Sequence, residues 1–215
     1  IKPVHYFCSI AVYPGRRGEF VEREAQVEEL ENVVGGYRQT KWVTDRLMHQ
    51  ARERGVPTYV YRTGTITGSS QSGACTTRTF FNDMIKSSIQ LGAAMNYDLQ
   101  LELVPVDYCA AAVTHIALHP DVAPATFNLT GTRSVSMNEV IDLMVQYGYQ
   151  LERLEYAQWH ERLMAAIDRG EDNQLARYLV LLGKDRPAEE IGYPGSKPVF
   201  ENANLRRALE GSGLA

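Results

Sequence analysis

The apolar positions at the start of the chain, Val4–Tyr13 (VHYFCSIAVY), are β-branched and aromatic over a short run that ends at Pro14-Gly15, which predicts a buried strand followed by a loop. The loop is long and charged. From Gly35-Gly36 the period becomes helical (YRQTKWVTDRLMHQARERG), with Trp42, Val43, Leu47, Met48 and Ala51 on the predicted apolar side and Gly55 as the stop. Thr58–Arg62 (TYVYR) predicts a second strand, and TGTITGSSQSG after it is a stretch of glycines and small hydroxyls that lets backbone approach a ligand closely. Strand, helix and strand at these lengths make a βαβ unit, so a parallel sheet with covering helices follows.

Farther along the pattern is mixed. Phe80–Leu91 and Tyr108–Leu118 read as helices, Leu99–Val104 and Thr126–Leu129 as extended segments. Ser136 with Glu139 three residues on is a capping box, opening a helix whose Val140, Ile141, Met144 and Val145 are predicted to face the core. Ala157–Leu182 suggests two more helices, and a last helix around Leu205–Leu209 is expected to pack on the surface. From Ala157 onward the chain reads as a small, mostly helical lobe.

Composition narrows the function classes. The 215 residues are 44% hydrophobic and 22% charged, as in ordinary globular chains. A net charge of −4, with no long run of Lys or Arg, lacks the electrostatic footprint of nucleic-acid binding. No apolar run reaches membrane-spanning length and no signal peptide is evident, so no membrane partner is expected. Cys8, Cys75 and Cys109 are odd in number and form no CxxC pair, which fits a reducing cytoplasm and offers neither a disulfide framework nor a zinc site. The five histidines show no ligand spacing, and no metal is expected. The chain begins at Ile1 and enters an apolar strand almost at once, so further sequence is expected upstream.

The most informative string is Tyr37-Arg38-Gln39-Thr40-Lys41. Residues i and i+4 of a helix lie roughly 40° apart, so phenol and ammonium share one face and can share one ligand. A nearby ammonium favours the phenolate, which suits proton transfer to a carbonyl oxygen. Alone, the pentapeptide is a weak signal that occurs often by chance, and a surface lysine with a partly buried tyrosine at a helix start accounts for it better. Ser9, inside the buried segment CSIAV, is a hydroxyl that needs a partner or a purpose. At the end of a parallel strand it can hydrogen-bond a substrate carbonyl beside the tyrosine of the next helix.

Strand Ser, helix Tyr-xxx-Lys, strand, then Arg-x-Gly-x-Ile-x-Gly is the order of the extended short-chain dehydrogenases/reductases. The strings HYFCSIAVY, GGYRQTKWVTDRLMHQARERGVPTYVYRTGTITG, IQLG, LVPVDYCAAAV, FNLTG and YGYQLERLEYAQW resemble the terminal thioester reductase domains of nonribosomal peptide and polyketide synthetases. The resemblance implies an α/β fold: the C-terminal part of a Rossmann-type parallel sheet, with a smaller, mostly helical substrate-binding lobe. On that reading residues 1–156 form the reductase core with interleaved substrate-binding segments, and 157–215 form the helical substrate and carrier lobe. It implies Ser9, Tyr37 and Lys41 as catalytic residues, and Thr63, Gly64, Thr65 and Ile66 along the nicotinamide pocket with Tyr37 and Lys41. It also implies NADPH as cofactor and, as partners, a phosphopantetheinylated carrier protein bearing the thioester and the upstream half of the same domain.

Two departures stand out. Thr63 occupies the place where the family commonly has proline. No GxGxxG or GxxGxxG string is present to hold a pyrophosphate at a helix N-terminus, so the chain alone is expected to bind dinucleotide weakly and to be inactive by itself. Phe80, Phe81 and Met84, with Met95, are candidates for an acyl or pantetheine channel, with core packing the competing account. Asp107 is read as the N-cap of a helix beginning at Tyr108. Arg16, Arg17, Arg78 and Lys86 are candidates for a carrier phosphate against a default of solvated surface. Rival readings are a nucleotide-sugar epimerase or dehydratase of the same superfamily, and a non-catalytic Rossmann-like binding module.

Overall fold

A computed structural model describes residues 2–13, 19–20, 31, 33, 35–96, 99–180, 182–183 and 199–214. In chain order its strands are β1 (Val4–Ser9), β2 (Glu19–Phe20), β3 (Thr58–Thr63), β4 (Thr65–Thr67), β5 (Ala93–Met95), β6 (Gln100–Leu101), β7 (Leu103–Pro105), β8 (Thr126–Leu129), β9 (Val135–Ser136), β10 (Glu152–Leu154) and β11 (Val199–Phe200). The α-helices are α1 (Gly36–Glu53), α2 (Phe80–Leu91), α3 (Val106–Leu118), α4 (Met137–Gln146), α5 (Tyr156–Asp168) and α6 (Ala203–Ala208). Short 3₁₀ turns cover Ile10–Val12 and Gln174–Tyr178.

The chain forms two compact units: Ile1–Cys75 with Glu102–Ser134 and Ser196–Ala215, and Thr76–Leu101 with Val135–Gly195. This division interleaves more deeply than the expected boundary after residue 156. Residues 199–214 belong to the first unit, because α6 turns Leu205 into its core and Leu209 follows, each 1% exposed. The surface position expected for this last helix is thereby corrected.

In the first unit β1, β3 and β8 form a parallel sheet in that order, with Ser9 beside Thr63 and Thr63 beside Leu129. The expected βαβ unit is therefore present, with α1 as its crossover. All six residues of β3 are buried. Thr58 and Arg62 turn toward α1: the Thr58 hydroxyl donates to Met48 O at 3.0 Å and Arg62 pairs with Asp45. On the other face Tyr59 and Tyr61 pack with Phe127, Leu129 and Ile116, the Tyr61 and Phe127 rings 5.6 Å apart. β4 pairs parallel with β7, and β2 with β11.

Helix α1 opens at Gly35, whose φ of 92° lies in the left-handed region that glycine alone enters freely. Its buried side differs from the apolar stripe read off the sequence. Trp42, Asp45 and His49 are buried, whereas Val43 and Leu47 are exposed. The polar residues are inside because Arg62 of β3 is there to meet them.

In the second unit β5 pairs parallel with β10, and β6 antiparallel with β9. Both bonds of the Ser136–Glu139 capping box form, at 3.1 and 2.7 Å. Val140, Ile141 and Met144 are buried as expected; Val145 is exposed, one step past the edge of that face. Met84, Met95, Met137, Met144 and Trp159 surround a void of about 10 Å³, room for one water-sized sphere.

Candidate active site

Ser9 ends β1 and caps the Ile10–Val12 turn, its oxygen accepting the Ala11 N–H at 3.1 Å. A hydroxyl engaged as an acceptor keeps its own proton to donate elsewhere. Tyr37 lies in the first turn of α1 and is 63% exposed. One turn on, Lys41 Nζ donates to Phe7 O at 3.3 Å and stands 5.6 Å from the centre of the Tyr6 ring. From the same helix Arg38 Nε and Nη2 donate to Ala11 O (3.3 Å) and Tyr13 O (3.2 Å), and the Cys8 thiol donates to Lys41 O at 3.8 Å. The start of α1 is thus tied to the end of β1 and the turn after it.

The residues expected along a nicotinamide pocket continue the neighbouring strand. Thr63 is buried and its hydroxyl donates to Cys8 O at 3.3 Å, so it braces β3 against β1. Gly64 N–H donates to Leu129 O (3.0 Å) and Thr65 N–H to Glu102 O (2.7 Å); Ile66 is 36% exposed. Glycine at 64 is dictated by space, since a Cβ there would overlap Glu102 O and come within 2.9 Å of the Glu102 Cβ. Glu102 is itself buried and accepts from the Ser134 hydroxyl; desolvation raises its carboxyl above the ordinary range.

A buried polar network behind α1 was not visible as a site in the sequence. Arg62 donates to both Asp45 oxygens at 2.6 and 2.9 Å and to the Tyr13 hydroxyl at 2.8 Å. The Tyr13 hydroxyl donates to Asn128 Oδ1 (3.1 Å), and His49 Nε2 lies 3.2 Å from Asp45 Oδ1 and 3.3 Å from the Thr126 hydroxyl. Burial alone would raise the Asp45 carboxyl, but the hydrogen bonds and charges of His49 and Arg62 outweigh it and hold it well below the carboxylate range. The available signal is the lone Arg in the buried run TYVYR, a charge that must find a partner.

Asp107 does not cap α3. The helix begins at Val106 after Pro105, and Asp107 in its first turn accepts the Ser70 N–H (3.0 Å) and hydroxyl (2.6 Å). It anchors the loop after β4, whose Ser69 also bonds Ala74 and Gly73 through its backbone. Of the cysteines, Cys8 and Cys109 are buried and Cys75 is exposed beside Gly68. Burial, then the Asp45 charge, pushes the Cys8 thiol up to about 12; burial with Asp107 pushes Cys109 up to about 11.

Phe80, Phe81 and Met84 lie on α2 in the second unit. Phe80 packs edge-on against Tyr178 at 5.0 Å, Phe81 is half-buried, and Met84 lines the methionine-walled void. Arg78 and Lys86 are exposed, and Arg16 and Arg17 lie outside the described residues. Among the described residues no three His, Cys, Asp or Glu side chains are grouped to hold a metal, and no helix is long and apolar enough to cross a membrane.

Residues 1–113 match the model of the NAD-binding domain family described as Male sterility protein, and the chain belongs to that family. More particularly, it is homologous to terminal reductase domains of peptide and polyketide synthetases. It is 31% identical to the terminal R domain from the myxalamid PKS-NRPS biosynthetic pathway, with a TM-score of 0.84 over 100% of this chain and 54% of that one. It is 30% identical over 202 residues to a linear gramicidin synthase polypeptide of Brevibacillus parabrevis, covering 91% of this chain and 4% of that protein. With L-2-aminoadipate reductase of Saccharomyces cerevisiae it shares 31% identity over 167 residues, 76% of this chain and 12% of the relative. The chain therefore spans about half the length of the solved reductase domain and a small part of the curated relatives.

Proposed function

We propose that this chain carries the catalytic face of a reductase domain that releases an acyl or peptidyl thioester from a phosphopantetheine arm. The observation that carries the reading is Ser9: its oxygen is fixed by the Ala11 N–H, its proton is free to donate, and the helix bearing Tyr37 and Lys41 is anchored at the same strand end. In this reading the Ser9 and Tyr37 hydroxyls hold the thioester carbonyl oxygen, and Tyr37 delivers the proton to it. Lys41 uses one donor on Phe7 O and keeps others for a ribose hydroxyl. Thr63, Gly64, Thr65 and Ile66 line the nicotinamide side, chiefly through backbone.

The exposed Tyr37 phenol and the Lys41 ammonium fit the nicotinamide-ribose end of a dinucleotide. NADPH, when bound, supplies the hydride that the carbonyl carbon receives. Departure of the thiol leaves an aldehyde, and a second reduction gives an alcohol. The pyrophosphate end has no glycine-rich turn here, and in this reading another part of the same reductase domain provides it. The carrier-protein partner and a cytoplasmic setting belong to the same proposal.

The test is an assay of the full reductase domain with an acyl thioester on its carrier, following thiol release and NADPH absorbance together. One NADPH consumed per thiol released supports the reading with an aldehyde product, and two per thiol support it with an alcohol. Turnover of a nucleotide sugar with retained cofactor and no thiol release would establish the epimerase alternative instead.

A further inference from the structure

We propose that Arg38, the residue after Tyr37, is a positioning residue that holds the Ser9 hydroxyl in register with the Tyr37 helix. The proposal rests on Ser9 and Tyr37 meeting the carbonyl oxygen. Its geometric basis is that Ala11 is gripped at both of its polar atoms. The Ala11 N–H holds the Ser9 oxygen at 3.1 Å, and the Ala11 carbonyl accepts from Arg38 Nε at 3.3 Å. The same guanidinium reaches Tyr13 O through Nη2 at 3.2 Å, so one planar fork holds the middle and the far end of the turn that Ser9 caps.

The far end of the turn is already fixed. The Tyr13 phenol is buried between Arg62 at 2.8 Å and Asn128 at 3.1 Å. Before Ser9, the Lys41 and Cys8 bonds tie helix to strand. Arg38 supplies the tie to the turn itself. Without it, the Ala11–Val12 peptide loses a tie to the helix, and the adjoining Ile10–Ala11 amide that fixes the Ser9 rotamer keeps the Tyr13 N–H on Ile10 O (3.1 Å) but loses that brace. A rotamer change displaces a hydroxyl by more than about 1 Å, and misplacement on that scale costs on the order of 10²-fold in rate. Charge-assisted bonds to two carbonyls make this a stiffer strut than a neutral side chain could provide.

The experiment is a double-mutant cycle in the full reductase domain, with Arg38→Met and Arg38→Lys made in the parent and in a Ser9→Ala background. In the parent, Arg38→Met should lower kcat about 10- to 100-fold while the KM for NADPH stays within about twofold and the thermal midpoint is unchanged. Arg38→Lys, able to reach one carbonyl, should recover part of the loss. In the Ser9→Ala background Arg38→Met should cost less than about threefold, because the group it positions is gone. An equal loss in both backgrounds overturns the positioning role while leaving Ser9 and Tyr37 in place, as does near-parental kcat for Arg38→Met. Near-parental kcat for Ser9→Ala overturns both the site assignment and the role of Arg38.

Discussion

Arg62 and Asp45 form a two-pronged ion pair, 2.6 and 2.9 Å between heavy atoms, with neither side chain reached by solvent. It joins β3 to the middle of α1, one turn beyond Lys41. Removing one partner of such a pair strands the other charge in a dry interior. Asp45→Ala is therefore expected to lower stability by about 3–5 kcal/mol, measured by urea unfolding at neutral pH.

The same pair predicts an acid limb. The folded-state affinity of Asp45 for a proton is depressed, so its contribution is fully present above the unfolded carboxylate range and is lost as pH falls toward the lower folded value. Unfolding midpoints should hold steady from neutrality to about pH 5 and fall below that. Asp45→Asn should be weaker at neutral pH and lose less on acidification, and parallel curves for the two proteins would refute the assignment.

Tyr37→Phe removes one proton donor and little volume. Turnover of the full domain should drop about 10²- to 10⁴-fold with near-normal cofactor binding. Lys41→Ala should weaken binding and rate together, since its ammonium also braces Phe7 O. Steady-state kinetics with cofactor fluorescence titration separates the two patterns.

Gly64→Ala drives a methyl group into the Glu102 backbone. Overpacking of this kind costs about 1–3 kcal/mol, and here the strain falls between β4 and β7. Reduced stability with weakened NADPH binding is the expected outcome, read by calorimetry and titration; a neutral substitution would mean that the two strands can part.

Ser70 and Asp107 pin the loop after β4 by two hydrogen bonds on an exposed surface. Asp107→Ala should speed amide exchange at residues 69–74 while leaving protection in β3 and α3 unchanged. Uniform acceleration would instead mark Asp107 as a global support.

The βαβ unit was legible because Val4–Ser9 and Thr58–Thr63 are runs rich in β-branched and aromatic residues separated by a helical stretch, and the capping box at Ser136 because two residues suffice to define it. The buried side of α1 was not. Val43 and Leu47 have the right spacing for a core stripe, but Arg62 draws Asp45 and His49 inward, and a lone charge on another strand does not enter a hydrophobic period. Ser9, Tyr37 and Lys41 could be singled out by residue type and spacing. The bonds from Arg38 could not, because they run to backbone carbonyls that any sequence would offer. Asp107 was misplaced by two residues of helix start, since its partner Ser70 lies in a distant loop.

The distribution of thiols gives the molecule a built-in attachment point. Cys8 and Cys109 are buried and hold their protons to high pH, while Cys75 stands exposed just after Gly73 and Ala74, against the Gly68 bend that leaves β4. Of the three cysteines in these 215 residues, a maleimide dye would settle on Cys75. Its emission would then report from the loop that Ser70 and Asp107 hold in place, turning an incidental side chain into an optical gauge of that loop's order.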